Sequence, residues 1–291
     1  MTAKSPLEHF QQKLSLAGKK IIVTGGASGI GKCAVKLFAS AGASVAIVDF
    51  DKAAGAALSA ELSSTGTDVR YIYADVAQQD DCENALRSAH EAFGSIDVLV
   101  TCAGIVRPAD SNGNSVAEMQ QMFAVNFFGT VHFVQGVLPL MSKSGRIVCV
   151  GSIAGETMVA NRDGYCASKA ALHAWAAVRA PELRRRGITL NVVAPGRVLT
   201  ELVRGWLSKN ANPSEAFRAG CATQCSGTML LPEAIAEMVY LLASNAYPVA
   251  GTVLDLSDGW GQGYQGNPAN LPESFDEFKA FAKTQFGMAL D

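Results

Sequence analysis

The sequence predicts an α/β fold: a single doubly wound, Rossmann-type parallel sheet of about seven strands, with helices on both faces. Three observations predict it. Short apolar segments alternate with helical ones along most of the 291 residues, a glycine-rich turn follows the first apolar segment, and no linker or repeat interrupts the pattern. Strands that are each followed by a helix pair in parallel through right-handed crossovers.

The elements follow one another at regular spacing. Leu7, Phe10 and Leu14 fall on one face of a predicted N-terminal helix. The predicted strands are 20–24, 43–49, 69–74, 96–101, 146–150, 188–194 and 252–256. The predicted helices are 31–41, 53–63, 80–93, 116–141, one that begins near Tyr165, and 233–244.

Two segments depart from this pattern. Pro181 lies inside the helix that begins near Tyr165, and a proline there is expected to kink or end the helix just before it. From residue 261 onward the alternation stops, and Phe275, Phe278 and Phe281 predict a small amphipathic helix. Whether that helix caps its own active site, reaches a neighbouring subunit or packs on the surface is left open.

Composition excludes several classes of function. The net charge is −2 and no basic stripe is present, which argues against nucleic-acid binding. No apolar run is long enough to cross a membrane, and the N-terminus lacks the apolar core of a signal peptide. The seven cysteines form neither a CxxC pair nor zinc-ligand spacing. We therefore expect reduced thiols, no metal site and a cytoplasmic protein.

The turn after the first strand predicts a dinucleotide site. Gly25, Gly29 and Gly31 stand in the segment Thr-Gly-Gly-Ala-Ser-Gly-Ile-Gly, between a strand and a helix. Glycine lets the backbone approach a phosphate closely, and a helix N-terminus offers free N–H groups and a positive dipole end. At this place in a strand–turn–helix unit the pattern is typical of a bound dinucleotide.

Asp49 ends the second strand and predicts the type of dinucleotide. A carboxylate there can accept both hydroxyls of the adenosine ribose and would repel a 2′-phosphate. Phe50 follows it, and the glycine turn contains no Arg or Lys to pair with that phosphate. The sequence thus predicts NAD over NADP. Asp75, at the end of the third strand, is a candidate hydrogen-bond acceptor for the adenine amino group.

Tyr165 and Lys169 are four residues apart in an Ala-rich helical segment, so their side chains lie on one helix face. A nearby fixed ammonium favours a phenolate, and we expect Lys169 to lower the pKa of Tyr165 from ~10 toward neutrality. Ser152 ends the fifth predicted strand thirteen residues upstream. Tyr165 would then be a proton acceptor or donor, with Ser152 beside it.

Taken together, these residues resemble the short-chain dehydrogenase/reductase family, in the subgroup whose turn reads TGxxxGxG. The resemblance covers 18–260, which it implies is a single NAD-binding catalytic domain between an N-terminal extension (1–17) and a C-terminal extension (261–291). It implies a catalytic tetrad of Asn126, Ser152, Tyr165 and Lys169. The cofactor-binding residues that it implies, besides Tyr165 and Lys169, are Gly25, Ser28, Gly29, Ile30, Gly31, Asp49, Phe50, Asp75, Val76, Cys102, Ala103, Gly104, Pro195, Gly196, Val198 and Thr200.

The resemblance also implies a mechanism. Hydride passes between the nicotinamide and a secondary alcohol or ketone, Tyr165 acts as the acid/base, and Ser152 hydrogen-bonds the substrate oxygen. Lys169 lowers the tyrosine pKa and holds the nicotinamide ribose, and Asn126 supports a water in the proton relay. Two positions depart from the family pattern. Cys102 replaces an asparagine that braces the sheet, and Trp260 replaces a glycine.

Several questions stay open at the level of sequence. Residues 200–229 are expected to form the substrate loop, with Leu202, Trp206, Leu207 and Phe217 as apolar walls, and Glu156, Met158, Asn161 and Arg162 are further pocket candidates. This combination of apolar and polar side chains is compatible with either an apolar or a polar ketone as substrate. His173 is interpreted as structural. A non-catalytic dinucleotide-binding sensor or scaffold is the main alternative, and an epimerase or dehydratase is a weaker one. The resemblance implies a homodimer or homotetramer.

Overall fold

Seven parallel strands form one sheet in the computed structural model, which describes residues 4–157, 159–262 and 276–277. The strand order is β3-β2-β1-β4-β5-β6-β7, so the order reverses between β1 and β4. This confirms the predicted fold class. The strands are β1 (Lys20–Thr24), β2 (Ser44–Asp49), β3 (Val69–Tyr73), β4 (Ile96–Thr101), β5 (Met141–Val150), β6 (Thr189–Pro195) and β7 (Val253–Leu256).

Helices cover both faces of the sheet, because each strand carries apolar residues on both sides. In β1, Ile21 and Val23 pack in one core cluster and Ile22 in the other. Helices α2, α3 and α10 line the first cluster, and α4, α6 and α7 line the second. The helices are α1 (Pro6–Leu14), α2 (Gly29–Ser40), α3 (Lys52–Ser63), α4 (Gln79–Phe93), α5 (Val116–Phe123), α6 (Gly129–Val137), α7 (Asp163–Arg185), α8 (Glu201–Ser208), α9 (Pro213–Cys221) and α10 (Pro232–Ala243).

The long helix predicted at 116–141 is wrong in two respects. A π-helical segment, Ala124–Phe128, separates α5 from α6. Helix α6 also ends at Val137, and Met141 already belongs to β5, where it pairs with Ile96 of β4. Short π segments often mark functional sites, and this one carries the fully buried Asn126.

Pro181 does not end α7, which continues to Arg185. The residue whose carbonyl loses its partner is Ala177, four positions earlier, and both Pro181 and Ala177 are exposed, so water can take the place of the missing N–H. Ala180 and Leu183 are fully buried and keep the last turns of the helix against the sheet. Packing therefore outweighs the local preference of proline.

Residues 200–229 are not a loop throughout, since they contain α8 and α9. The two helices share a small apolar cluster that includes Leu199, Leu207, Phe217 and Met229. The predicted N-terminal helix is present as α1, but Leu7 and Phe10 are exposed. The predicted helix around Phe278 lies outside the described residues, apart from positions 276–277. None of the described helices is long and apolar enough to span a membrane.

Candidate active site

A cleft of about 720 Å³ opens at the carboxyl ends of the strands, a volume typical of small-molecule sites. It lies across the point where the strand order reverses, which is where doubly wound sheets bind their ligands. Every predicted cofactor residue lines it, as do three of the four predicted catalytic residues. The lining includes Gly25, Ser28, Gly29, Ile30, Gly31, Asp49, Phe50, Asp75, Val76, Cys102, Ala103, Gly104, Ser152, Tyr165, Lys169, Pro195, Gly196, Val198 and Thr200.

The glycine turn has the backbone geometry that its sequence predicts. Gly25 has φ +64°, and a side-chain carbon there would lie 2.6 Å from the Ala103 nitrogen. A side chain at Gly31 would overlap the Gly25 carbonyl. The Gly29 N–H, at the start of α2, donates to the Glu201 carboxylate at 2.8 Å. The turn therefore already holds an anionic oxygen, as it would hold a phosphate oxygen of a dinucleotide.

Asp49 is held rigidly at the end of β2. Its two carboxylate oxygens accept hydrogen bonds from the backbone N–H groups of Ala27 and Asp51, each at 3.0 Å. The residue is only 7% exposed, whereas the neighbouring Phe50 is 71% exposed. Each oxygen keeps a free lone pair for a further donor, such as a ribose hydroxyl.

Cys102 leaves the sheet braced, although it lacks an amide side chain. Its N–H donates to the carbonyl and hydroxyl oxygens of Thr24, at 3.0 and 3.2 Å. The Ala103 N–H also points to that hydroxyl, at 3.4 Å. Burial raises the pKa of the Cys102 thiol to about 12, so it stays protonated. Thr24 thus holds the segment that follows β4 in place through these hydrogen bonds.

Ser152, Tyr165 and Lys169 meet at the floor of the cleft. Ser152 follows β5, and its hydroxyl accepts a hydrogen bond from the Ala154 N–H at 3.2 Å. The Lys169 ammonium donates to the Val150 carbonyl at 2.9 Å and lies 5.9 Å from the centre of the Tyr165 ring. The structure therefore brings these three side chains together, as the sequence predicts.

The predicted direction of the Tyr165 pKa is wrong. Burial raises the pKa of the phenol, and the hydrogen bond from Ser152 and the charge of Arg162 oppose this only in part. Burial also lowers the pKa of Lys169 to about 8. The phenol and the ammonium thus both lose water when the chain folds, and the loss disfavours the charged form of each.

Asn126 lies behind the cleft and is fully buried. Its amide nitrogen donates to the Ile105 carbonyl at 2.9 Å and to the Ser168 hydroxyl at 3.0 Å, and its oxygen accepts from the Ile105 N–H at 2.8 Å. Ser168 in turn donates to the Tyr165 carbonyl. Asn126 therefore ties the chain after β4 to the first turn of α7, which carries the tyrosine.

The sequence did not predict three of the groups that contact the site. His173 accepts a hydrogen bond from the Ser152 N–H at 3.4 Å, and its other ring nitrogen faces Glu156 at 3.4 Å. Burial lowers the pKa of His173 to about 4. Arg197, next to the predicted nicotinamide segment, and Glu201, at the glycine turn, also line the cleft. The placement of Arg197 between Gly196 and Val198 is the one sequence signal that could have singled it out.

Comparison with known proteins fits this arrangement. The family model described as short chain dehydrogenase matches residues 19–211. The chain belongs to the short-chain dehydrogenase family. It is therefore an oxidoreductase of a family that binds a nicotinamide dinucleotide.

Three relatives show how far the similarity extends. The chain is 32% identical to 2,5-dichloro-2,5-cyclohexadiene-1,4-diol dehydrogenase LinX of Sphingobium indicum, over 85% of this chain and 98% of the relative. It is 32% identical to L-fucose dehydrogenase of Mus musculus, over 85% and 90%. Among solved structures, that of gox2181 is similar with a TM-score of 0.82 and 33% identity, over 86% of this chain and 98% of the other.

Proposed function

We propose that this protein is an NAD-dependent dehydrogenase/reductase that transfers a hydride between NAD(H) and a secondary alcohol or ketone, within a single catalytic domain (18–260). One observation carries the proposal. A single cleft joins the glycine turn and Asp49 at one end to Ser152, Tyr165 and Lys169 at the other. The relatives named above as dehydrogenases of a diol and of L-fucose support a substrate that bears a CH–OH group.

Asp49 supports the choice of NAD. The two backbone hydrogen bonds to its carboxylate prevent it from turning away from a ligand. A 2′-phosphate at that point would face a buried negative charge, whereas the two ribose hydroxyls of NAD would find acceptors. The cofactor proposal therefore depends on a fixed carboxylate and not on a flexible surface side chain.

Tyr165 is proposed to handle the substrate proton. The nicotinamide ring, when bound, accepts or gives the hydride. In reduction, Tyr165 donates its hydroxyl proton to the oxygen that becomes the alcohol, and in oxidation it takes that proton back. Because burial raises its pKa above the ordinary value of a phenol, Tyr165 holds its proton at neutral pH and is ready to donate it. Ser152 Oγ accepts from the Ala154 N–H, and its hydroxyl proton, which is directed to Tyr165 in this structure, would be shared with the substrate oxygen to stabilise charge there.

Lys169 and Asn126 are proposed to act from behind the tyrosine. The Lys169 ammonium, fixed on the Val150 carbonyl, would bind the nicotinamide ribose on its open side. Asn126 would keep α7 in register with the chain after β4 and support the water that carries the proton outward.

We also propose a homodimer or homotetramer in the cytoplasm. Val116 of α5, Phe128 of the π-helical segment and Val178 of α7 are each about half or more exposed, at 72%, 49% and 77%. These exposed apolar side chains favour association through α5, the π-helical segment and α7, and the seven free cysteines fit a reducing compartment. Sedimentation that finds only monomer at micromolar concentration would contradict the oligomer.

The decisive experiment follows nicotinamide absorbance with secondary alcohols and ketones, supplied with NAD or NADP. We expect turnover with NAD. In Tyr165→Phe we expect kcat to fall by at least about 10³-fold, because the proton donor is gone. Tyr247→Phe is the matched control, since Tyr247 is half-buried against a core cluster and is not among the residues that line the cleft. Asp49→Ala should lower the ratio of kcat/KM with NAD to kcat/KM with NADP.

Two outcomes would contradict the proposal. Full activity in Tyr165→Phe would remove the acid/base assignment. Tight dinucleotide binding without turnover of any alcohol or ketone would favour the non-catalytic sensor.

A further inference from the structure

Two arginines occupy the substrate end of the cleft. Arg162 immediately precedes α7, three residues before Tyr165, and Arg197 follows β6. Their guanidinium carbons lie 6.0 and 5.9 Å from the centre of the same indole ring, that of Trp206. Arg197 also lies 5.5 Å from the ring centre of Trp260, the residue that replaces a family glycine. The cleft thus carries two fixed cations between aromatic walls.

These cations have no acidic partner among residues 4–157, 159–262 and 276–277. The Nε atom of Arg197 is buried and makes no hydrogen bond there. The carboxylates near the site are engaged elsewhere, because Glu201 accepts from Gly29 and Glu156 faces His173. Burial lowers the pKa of both guanidinium groups, and the charge of Arg162 lowers that of Arg197 further.

The aromatic rings compensate this charge only in part. A ring face attracts a cation less strongly than a hydrogen-bonded carboxylate does. Both backbones are also fixed, since the Arg162 carbonyl accepts from Cys166 and the Arg197 carbonyl accepts from Leu230, at 2.8 and 2.9 Å. Two half-buried guanidinium groups that line a ligand cleft and have no acidic partner among the described residues are typical of a site for an oxyanion.

We propose that the substrate carries an oxyanion group, which Arg162 and Arg197 bind while its CH–OH or C=O carbon lies at Tyr165. The inference rests on the proposed dehydrogenase function and deepens it: the substrates are hydroxy acids and oxo acids, or phosphate monoesters of similar shape. Arg162 lies three residues before Tyr165 and both line the same cleft, so the anion and the reacting carbon can belong to one small molecule. The indoles of Trp206 and Trp260 would cover its carbon skeleton.

The first experiment compares matched alcohols with NAD. Hydroxy acids of increasing chain length are each paired with their neutral primary amide and with a phosphate monoester of the same length. We expect kcat/KM to be at least tenfold higher for one anionic member than for its amide. A preference for carboxylate or for phosphate identifies which oxyanion is the ligand. Equal or better use of the amides would overturn the proposal.

The second experiment uses Arg162→Met and Arg197→Met, which remove the charge and keep the length of the side chain. We expect KM for the anionic substrate to rise about 10- to 100-fold, because a hydrogen bond to a charged group is lost, and KM for the neutral amide to rise far less. Arg→Lys at either position should restore part of the preference, because it restores the charge. Arg186→Met, which removes an exposed arginine beyond α7, should change neither substrate. An equal effect on acid and amide would show a merely structural role.

Failure of this inference can be separated from failure of the proposed function. Tryptophan fluorescence reports on Trp206 and Trp260 without turnover, and unreactive alkanoates serve as probes against the corresponding alkanamides. Saturable quenching by alkanoates that disappears in Arg197→Met supports the anion site even if no alcohol is oxidised. Turnover of neutral alcohols without any response to alkanoates overturns the anion site and leaves the dehydrogenase proposal standing.

Discussion

The buried ammonium of Lys169 makes the protein less stable than it would be without it. The residue is 4% exposed, and burial lowers its pKa from 10.5 to about 8. A fall of that size corresponds to about 3 kcal/mol at pH 7, where the group is charged in both the folded and the unfolded state. Lys169→Met removes this cost but also the hydrogen bond to the Val150 carbonyl, which contributes about 1 kcal/mol. We therefore expect an inactive variant that is more stable by about 1–2 kcal/mol.

Urea unfolding of the ligand-free proteins at pH 7 measures this difference. The unfolded state binds more protons than the folded state between pH 8 and 10.5, so the stability of the parent rises with pH across that window. The advantage of the variant should therefore shrink between pH 8 and 10. Lys209→Met, at an exposed position just after α8, should change stability by less than about 0.5 kcal/mol. A Lys169→Met protein no more stable than the parent would refute the reasoning that the charge is held at a cost.

Three further predictions concern the turn, the anion at its N–H group and the buried histidine. Gly31→Ala should cost more than about 2 kcal/mol in urea unfolding because its side chain overlaps the turn, while Gly205→Ala, with open space around it, should stabilise α8 by about 0.5–1 kcal/mol. Glu201→Gln should lower the Kd for NAD about fivefold, as measured by calorimetry. The variant removes a negative charge at the Gly29 N–H, whose repulsion of the NAD phosphates costs about 1 kcal/mol of binding free energy. An unchanged Kd would contradict this. The pKa of His173 falls from 6.5 to about 4 on folding, so stability should drop as pH falls through that window, by at most about 1.4 kcal/mol per pH unit. The free energy of unfolding should fall less steeply with decreasing pH in His173→Gln than in the parent. Equal pH dependence in the two proteins would contradict this prediction.

Much of the fold could be predicted because its signals are local. Apolar runs and glycine or proline breaks gave most strand and helix ends to within two residues, and the alternation implied a parallel sheet. The glycine turn and Asp49 were found for the same reason, since both lie at the ends of strands that any parallel sheet places along one edge. Helical spacing and a strand end singled out Tyr165, Lys169 and Ser152, and the family resemblance added Asn126. The structure brings Ser152, Tyr165 and Lys169 together.

Other features depend on contacts between distant segments. The π-helical segment exists where the Asn126 amide meets the chain after β4 and the Ser168 hydroxyl, and no helix propensity encodes that meeting. Pro181 stays within α7 because buried neighbours hold the helix against the sheet. Helices α8 and α9 pack around an apolar cluster of their own. The sequence of residues 200–229 did not predict these helices, because the contacts that form the cluster are not visible in it.

The sequence by itself determined the parallel sheet, the position of the glycine turn and the residue types at the strand ends, because backbone conformation and hydrophobic periodicity are properties of neighbouring residues. Only the tertiary structure decided the charge states and the pairings. Burial raises the pKa of Tyr165 against the expectation from Lys169. Arg162, just before α7, and Arg197, after β6, meet around Trp206. Desolvation and through-space charge depend on what surrounds a group in three dimensions, and the chain order does not contain that information.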